Sequence, residues 1–521
     1  LEESEKDLEQ AVVALRESLE TNYEMLSEQL LVMEATESES QSQAAFDEHI
    51  RGEKAKLEAL QKKLEAERLA KEAALRTKQG EVLNEKDAQT HGDSTFSLHV
   101  SDVSFKLAKS ALEQGKWPEA VRVEEFVNAF SYREQPLISN EPVGLSMEQA
   151  AHPFLSQRNL LRVSLQTAAT GRGAGVPLRL TVVLDKSGSM ERVDRATAVE
   201  EAFRVLVEQL MPGDKVTLVG FSRRATLLAD LVDGSEGERL LEILRKTPSE
   251  GGTNVEEALN LAFAKAAEHY QDNAQNRVIL LTDGIANLGD AVPDSLMKIV
   301  TRMREEGLAF DACGVGVEGV NDKILEALTR KGDGRYYLLG SAAESGSDFA
   351  KQVAGALRPA ARNVKVQVEW NPDRVGKWRL YGFENHELEK EDFRNDAVDA
   401  AEMAAEEEGV ALYHVEVKPD GDGPLGVARV RFQDVASDEM VEREWEIAYE
   451  GEAAALNEAD AKIRLAGVAG LAAEKLAQSA LGERVDWDEL LQTTRQLQSV
   501  FPKQQQVRDL ESMIEQAKGL E

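Results

Sequence analysis

The sequence predicts an α/β protein. A doubly wound, mostly parallel six-stranded sheet spans 177–357, an all-β sandwich-like module follows, and helical segments flank both ends. Three observations carry this reading. Between 177 and 357, short apolar runs alternate with amphipathic stretches of helical period, the mark of β/α units. Beyond 360 the period drops to two, with Val364, Val366, Val368 and Trp370 alternating with polar residues. The first 88 residues hold no proline and are rich in Glu, Lys, Gln, Ala and Leu, as long helices are.

At 521 residues the chain exceeds one core, and its length suggests about three or four domains. Residues 1–88 read as a helical, coiled-coil stalk. Leu8, Val12, Leu15, Leu19, Leu26, Leu30 and Met33 form one apolar seam, and the periodicity resumes at Phe46, Ile50, Leu57, Leu60 and Leu64. Such a seam calls for a partner helix, so self-association is expected there.

Residues 89–176 read as an α+β lead-in. Phe96, Leu98 and Val100 alternate as a strand, Val103–Gln114 forms a helix ending at Gly115, and Val121–Phe130 forms a second. In 177–357 strands are expected at 178–184, 215–221, 225–231, 277–282, 308–315 and 335–339. Helices are expected at 194–210, 236–246, 254–270, 292–306, 320–330 and 343–357. The gap between the second and third strands is too short for a crossover helix, which predicts an antiparallel hairpin at a sheet edge. The module at 358–450 should hold further strands at 376–383, 409–418, 424–432 and 440–449, joined by those near 95–100 and 159–166. Residues 451–521 are Ala- and Leu-rich and helical, with breaks near Gly482 and Pro502.

The chemistry concentrates in three places. Residues 181–190 read TVVLDKSGSM, an apolar strand that stops at Asp185, Ser187 and Ser189. Gly251-Gly252-Thr253-Asn254 sets a hydroxyl in a glycine-rich turn before a helix. VILLTDG (Val278 to Gly284) ends a second apolar strand at Asp283. Few carboxylates, neutral hydroxyl oxygens and room for water suit Mg²⁺, with Mn²⁺ or Ca²⁺ as alternatives. In a doubly wound sheet the first and fourth strands flank the reversal of strand order, where ligands bind outside the carboxyl ends. Each motif alone could equally be a helix cap. All three in strand-to-loop context point to a metal.

These three segments, in this order, resemble the metal-ion-dependent adhesion site of von Willebrand factor type A domains, whose fold is Rossmann-like. The resemblance implies that Ser187, Ser189 and Thr253 coordinate an ion through hydroxyls, with Asp185 and Asp283 holding it directly or through water. Lys186 departs from the pattern, since that position is more often small or apolar, but it is not a ligand position. The flanks VRVEEFVNAFSY and 363–396 are similar to a bacterial YfbK-like group. That similarity covers about 94–500 and leaves out the N-terminal helical region. That group fixes the architecture and leaves the ligand blank; the open position on the ion is what leads to the expectation of a non-enzymatic, adhesion-type interaction protein that captures a partner's Asp or Glu through it. Alternatives are a structural envelope component whose ion only stabilises its domain, and an adaptor for an ATPase of the MoxR or chelatase kind.

Composition narrows the partners. Lys and Arg number 61 against 95 Asp and Glu, a net charge of −34, which argues against nucleic acid and against adsorption to anionic membranes. The seven histidines are scattered without HExxH spacing, and neither GxxxxGK[ST] nor GxSxG is present. No catalytic constellation is therefore expected. The single cysteine, Cys313, lies in an apolar run and reads as packing. No apolar run is long enough to span a membrane. The chain starts at Leu1 rather than Met, so membrane attachment is expected only through a preceding anchor, in a bacterial envelope location.

Overall fold

A computed structural model describes residues 83–132, 137, 142–168, 176–284, 293–340 and 359–521, except 397, 399 and 436. The expected stalk, up to residue 82, and the expected helix at 343–357 lie outside the described residues. Asn84–Glu521 forms one compact unit.

In chain order the lead-in holds β1 (Lys86–Asp87), β2 (Asp93–Ser97), α1 (Val103–Glu113), α2 (Val123–Val127), β3 (Val143–Ala151) and β4 (Arg158–Thr167). The central domain follows: β5 (Leu178–Asp185), α3 (Val193–Gln209), β6 (Lys215–Phe221), β7 (Ala225–Asp233), α4 (Gly237–Lys246) and α5 (Val255–Glu268). It continues with β8 (Gln275–Thr282), α6 (Pro293–Glu305), β9 (Ala309–Val315), α7 (Asp322–Lys331) and β10 (Tyr336–Leu339). Next come β11 (Pro359–Trp370), β12 (Val375–Leu380), β13 (Glu387–Leu388), β14 (Ala401–Ala404), β15 (Glu408–Val417), β16 (Gly426–Asp434) and β17 (Met440–Ile447). The chain closes with α8 (Ala461–Leu476), α9 (Trp487–Val500) and α10 (Gln505–Leu520).

The central sheet runs β10-β9-β8-β5-β6-β7, parallel except for the antiparallel edge strand β7. Having parallel neighbours on both sides and helices on both faces, β5 and β8 need apolar residues throughout, which LRLTVVLD and VILLT supply. Alternate side chains feed two cores. Leu180, Val182 and Leu184 pack among α3 and α4 residues such as Phe203 and Leu240. Val183, Val278 and Leu280 pack among α5, α6 and α7 residues such as Leu259, Val300 and Leu325. Cys313 is fully buried in β9 as a packing residue.

The lead-in and the module after 358, separate in sequence, share one sandwich. One sheet runs β1-β12-β15-β4-β3, the other β13-β2-β11-β16-β17, with β14 also on β11. The strand at 93–97 joins one sheet and the strand at 158–167 the other, so the central domain is an insertion between two halves of a sandwich. Its core holds Phe96, Leu161, Val368, Trp370, Trp378, Tyr413 and Phe432. Residues 86–87, expected at the end of the stalk, instead pair with Lys377 and Trp378 at the sheet edge. Backbone hydrogen-bond demand outweighs the local polar composition there. Helix α8 lies against α2, β3, β4 and β15. Gly467 and Gly470 permit that approach, since a Cβ at either would meet Leu456 or Leu412 within 3 Å.

Buried ion pairs join sandwich and central domain. Arg277 donates to both carboxylate oxygens of Asp311 (2.7 Å each) and to Glu402. Arg335 forks onto Glu407 (2.7 Å) and the Glu402 carbonyl (2.6 Å). Arg277 lies six residues before Asp283, so this junction sits about 20 Å along the strand from the carboxyl end of β8.

Two histidine pairs emerge that spacing does not reveal. His152 and His414 both bond the Tyr381 hydroxyl (3.0 and 3.1 Å). His152 Nδ1 accepts the amides of Phe154 and Leu155, which places its proton on Nε2. His414 Nε2 lies 3.1 Å from Glu85 but off the line of an aligned hydrogen bond. Burial pushes His152 down to about 3 and also lowers His414, and the Tyr381 hydroxyl ties the two imidazoles together. His99 and His386 stack at 4.3 Å between centroids.

Candidate metal centre

The loop after β5 turns where the sheet ends. The Lys186 amide still donates to the Phe221 carbonyl (2.7 Å), continuing the β5–β6 ladder by one residue, and Gly188–Glu191 then forms a short 3₁₀ turn. The Glu250 amide donates to the Lys186 carbonyl (2.8 Å), and the Asn254 amide to the Ser222 carbonyl (2.7 Å). These two bonds, with the Ser187–Glu250 bridge, fasten the Gly251–Asn254 turn beside the Asp185–Ser189 loop. Asn254 also caps α5 through the Glu257 amide.

Asp185 is 1% exposed. Its two oxygens accept from the Ser187 amide (2.8 Å) and the Thr282 hydroxyl (2.7 Å), so the carboxylate is oriented from both sides. Burial pushes its pKa up, opposed by the donors from Ser187 and Thr282. The Ser187 and Ser189 hydroxyls lie 3.0 Å apart. Thr253 is half-buried. Asp283 is buried and carries a partner that spacing did not disclose. The Arg195 guanidinium donates to Asp283, to the Ser189 carbonyl (3.2 Å) and to the Glu318 carbonyl (2.8 Å).

The structure thus links Asp185, Ser187 and Ser189 directly, reaches Asp283 through Arg195 and Thr282, and sets the Thr253 turn alongside. Thr282 and Arg195 are the residues the sequence reading missed. The available signals were the hydroxyl immediately preceding Asp283 and a basic residue one turn into the helix after Ser189. Among the described residues no group of three or more His, Cys, Asp or Glu is gathered for an ion. A cation here must therefore lean on hydroxyl oxygens as much as on carboxylates. The donor set fits a hard, water-retaining divalent ion in that respect, with one pre-oriented carboxylate and two adjacent hydroxyls at the open end of the sheet.

Lys186 lines a cavity of about 470 Å³ with Asp185, Met190, Glu200, Leu244 and Arg245, and burial pushes its ammonium down. A roomier cavity of about 1020 Å³ lies in the sandwich between the 152–159, 418–422 and 449–453 loops. Its rim sets Asp373, Glu416, Asp420, Asp422, Glu450 and Glu452 against Arg158 and Lys418. Chemistry rather than volume therefore favours the Asp185 loop.

Comparison with known proteins agrees with this architecture. Residues 180–285 match the von Willebrand factor type A domain, 73–162 match a family described as von Willebrand factor, and 355–520 match the C-terminal region of uncharacterized protein YfbK. The YfbK protein of Escherichia coli is 30% identical over 322 residues, covering 60% of this chain and 56% of the relative. The chain thus carries a segment that matches the von Willebrand factor type A domain and a C-terminal segment similar to that of YfbK. An uncharacterized Synechocystis protein is 29% identical over 217 residues, 42% of this chain and 50% of that one. The chain thus spans about half the length of these relatives. Calcium-activated chloride channel regulator 1 of Bos taurus is 27% identical over 160 residues, 30% of this chain and 17% of that protein. Among solved structures, a von Willebrand factor type A protein from Catenulispora acidiphila is similar, with a TM-score of 0.45 and 16% identity. That likeness covers 70% of this chain and 90% of the other.

Proposed function

We propose that this chain is a non-enzymatic interaction protein whose type A domain captures an acidic side chain of a protein partner through a divalent cation. Asp185, Ser187, Ser189, Thr253 and Asp283 would hold the ion, and Mg²⁺ is the ion this oxygen set suits best. The observation that carries the reading is the Asp185 carboxylate, fixed by Ser187 and Thr282 beside two hydroxyls 3.0 Å apart. Bound there, the ion would supply an electrophilic position for a partner carboxylate. The residues do the rest: Asp185 anchors, the hydroxyls add oxygens without charge, and the buried surroundings limit screening. The Ser187 and Ser189 hydroxyls touch each other and no histidine among the described residues, which supports binding over nucleophilic catalysis. Placement at a bacterial envelope, with self-association through the N-terminal region, belongs to the same proposal.

Calorimetric titration of Mg²⁺ and Mn²⁺ tests it. Saturable binding by the wild type that Asp185→Ala abolishes upholds the centre, and its absence from both proteins, with and without added acetate, refutes it. A second reading, a structural component whose ion only stabilises the domain, draws on the Arg195–Asp283 pair, which neutralises one carboxylate without an ion. A chelator that lowers the thermal midpoint but leaves partner capture intact selects that reading.

A further inference from the structure

We propose that Arg195 is a counter-cation built into the centre: by holding Asp283 it makes ion and partner carboxylate bind cooperatively. The inference rests on the metal reading above and specifies how that site chooses its ligand. Asp185, Asp283 and Arg195 are 1%, 6% and 7% exposed, so their charges interact with little screening. Two carboxylates and one guanidinium leave a net charge of −1. A divalent cation turns that to +1, and a single incoming carboxylate cancels it. Without the guanidinium the ion alone would bring the site to neutrality, leaving no charge to draw an acidic partner.

Arg195 is well placed for this role. It projects from the first turn of α3, and its terminal nitrogens engage Asp283 and two carbonyls from the flanking loops. With Asp283 occupied, ion binding by itself is weak, and the partner's carboxylate completes the charge balance. By reciprocity each ligand strengthens the other by the same factor.

The competing account is that Arg195 only clamps the Ser189 and Glu318 loops. Mn²⁺ titrations of the whole chain, with sodium acetate or with sodium chloride at equal ionic strength, separate the two. In the wild type, acetate should tighten Mn²⁺ binding about tenfold. In Arg195→Met, Mn²⁺ alone should bind about tenfold tighter and acetate should add less than about threefold. Arg195→Lys keeps the charge and loses the fork, so it should retain most of the coupling even if the loops loosen. It also decides the matter should the methionine variant fail to fold. Equal Mn²⁺ affinity and equal acetate coupling in wild type and Arg195→Met would overturn the proposal, as would coupling lost in Arg195→Lys. Wild-type Mn²⁺ binding that Asp185→Ala abolishes sustains the metal reading in either case. No Mn²⁺ binding by any form, with or without acetate, brings down both.

Discussion

Glu124 offers a test of the fold that can be worked from its surroundings. It opens α2, is 4% exposed, and one of its carboxyl oxygens has no hydrogen-bond partner. Burial, reinforced by neighbouring Glu125, pushes its pKa up to about 8 from 4.5, against the pull of the Glu124 and Phe383 amides. In the folded protein the carboxyl is neutral up to that pH, whereas the unfolded chain ionises it near 4.5. The stability linked to this group is therefore complete below pH 4.5 and is lost as pH rises through 8. The loss amounts to about 1.4 kcal/mol per pH unit, or about 5 kcal/mol over the whole window. Glu124→Gln fixes the neutral form in nearly the same shape and should remove this slope. Because the isoelectric point is ≈ 4.7, urea unfolding is best compared from pH 5.5 to pH 8. Over that span the variant should gain about 3 kcal/mol relative to wild type. Parallel pH profiles, or a variant less stable than wild type at pH 8, would refute the assignment of a buried neutral acid.

Three further outcomes are expected. With Mn²⁺ at about one hundred times its dissociation constant, wild type should gain about 2.7 kcal/mol of stability; Asp185→Ala should gain nothing, and EDTA should reverse the wild-type increment in a thermal scan. Arg277→Met leaves Asp311 and Glu402 without their buried partner and should cost about 3–5 kcal/mol in urea unfolding, whereas a loss under about 1 kcal/mol would show that the junction is not held there. Gly334→Ala would place a Cβ 1.9 Å from the Phe310 carbonyl oxygen. That backbone atom cannot swing aside, so the thermal midpoint should fall by the equivalent of about 1–3 kcal/mol while Mn²⁺ binding is unchanged.

Much of this protein is set by local sequence alone. The β-branched and leucine runs ending at Asp185 and Asp283 specify buried parallel strands because only apolar side chains satisfy both faces of such a sheet. The four-residue step from Phe221 to Ala225 determines the antiparallel edge hairpin, since no crossover fits in it. Asp185, Ser187 and Ser189 are legible as one cluster because a single loop carries them. Tertiary structure decided what no local pattern holds. It paired Phe96 of the lead-in with Val366 across the inserted domain, because strand pairing rewards hydrogen-bond partners regardless of their distance along the chain. It brought scattered His152 and His414 onto one tyrosine hydroxyl. It also set Arg195 against Asp283, a contact between a helix and a loop far apart in sequence that exists only in the folded chain. Periodicity reports which face of an element is buried, but the charge of a site is the sum over elements that meet only in the folded chain.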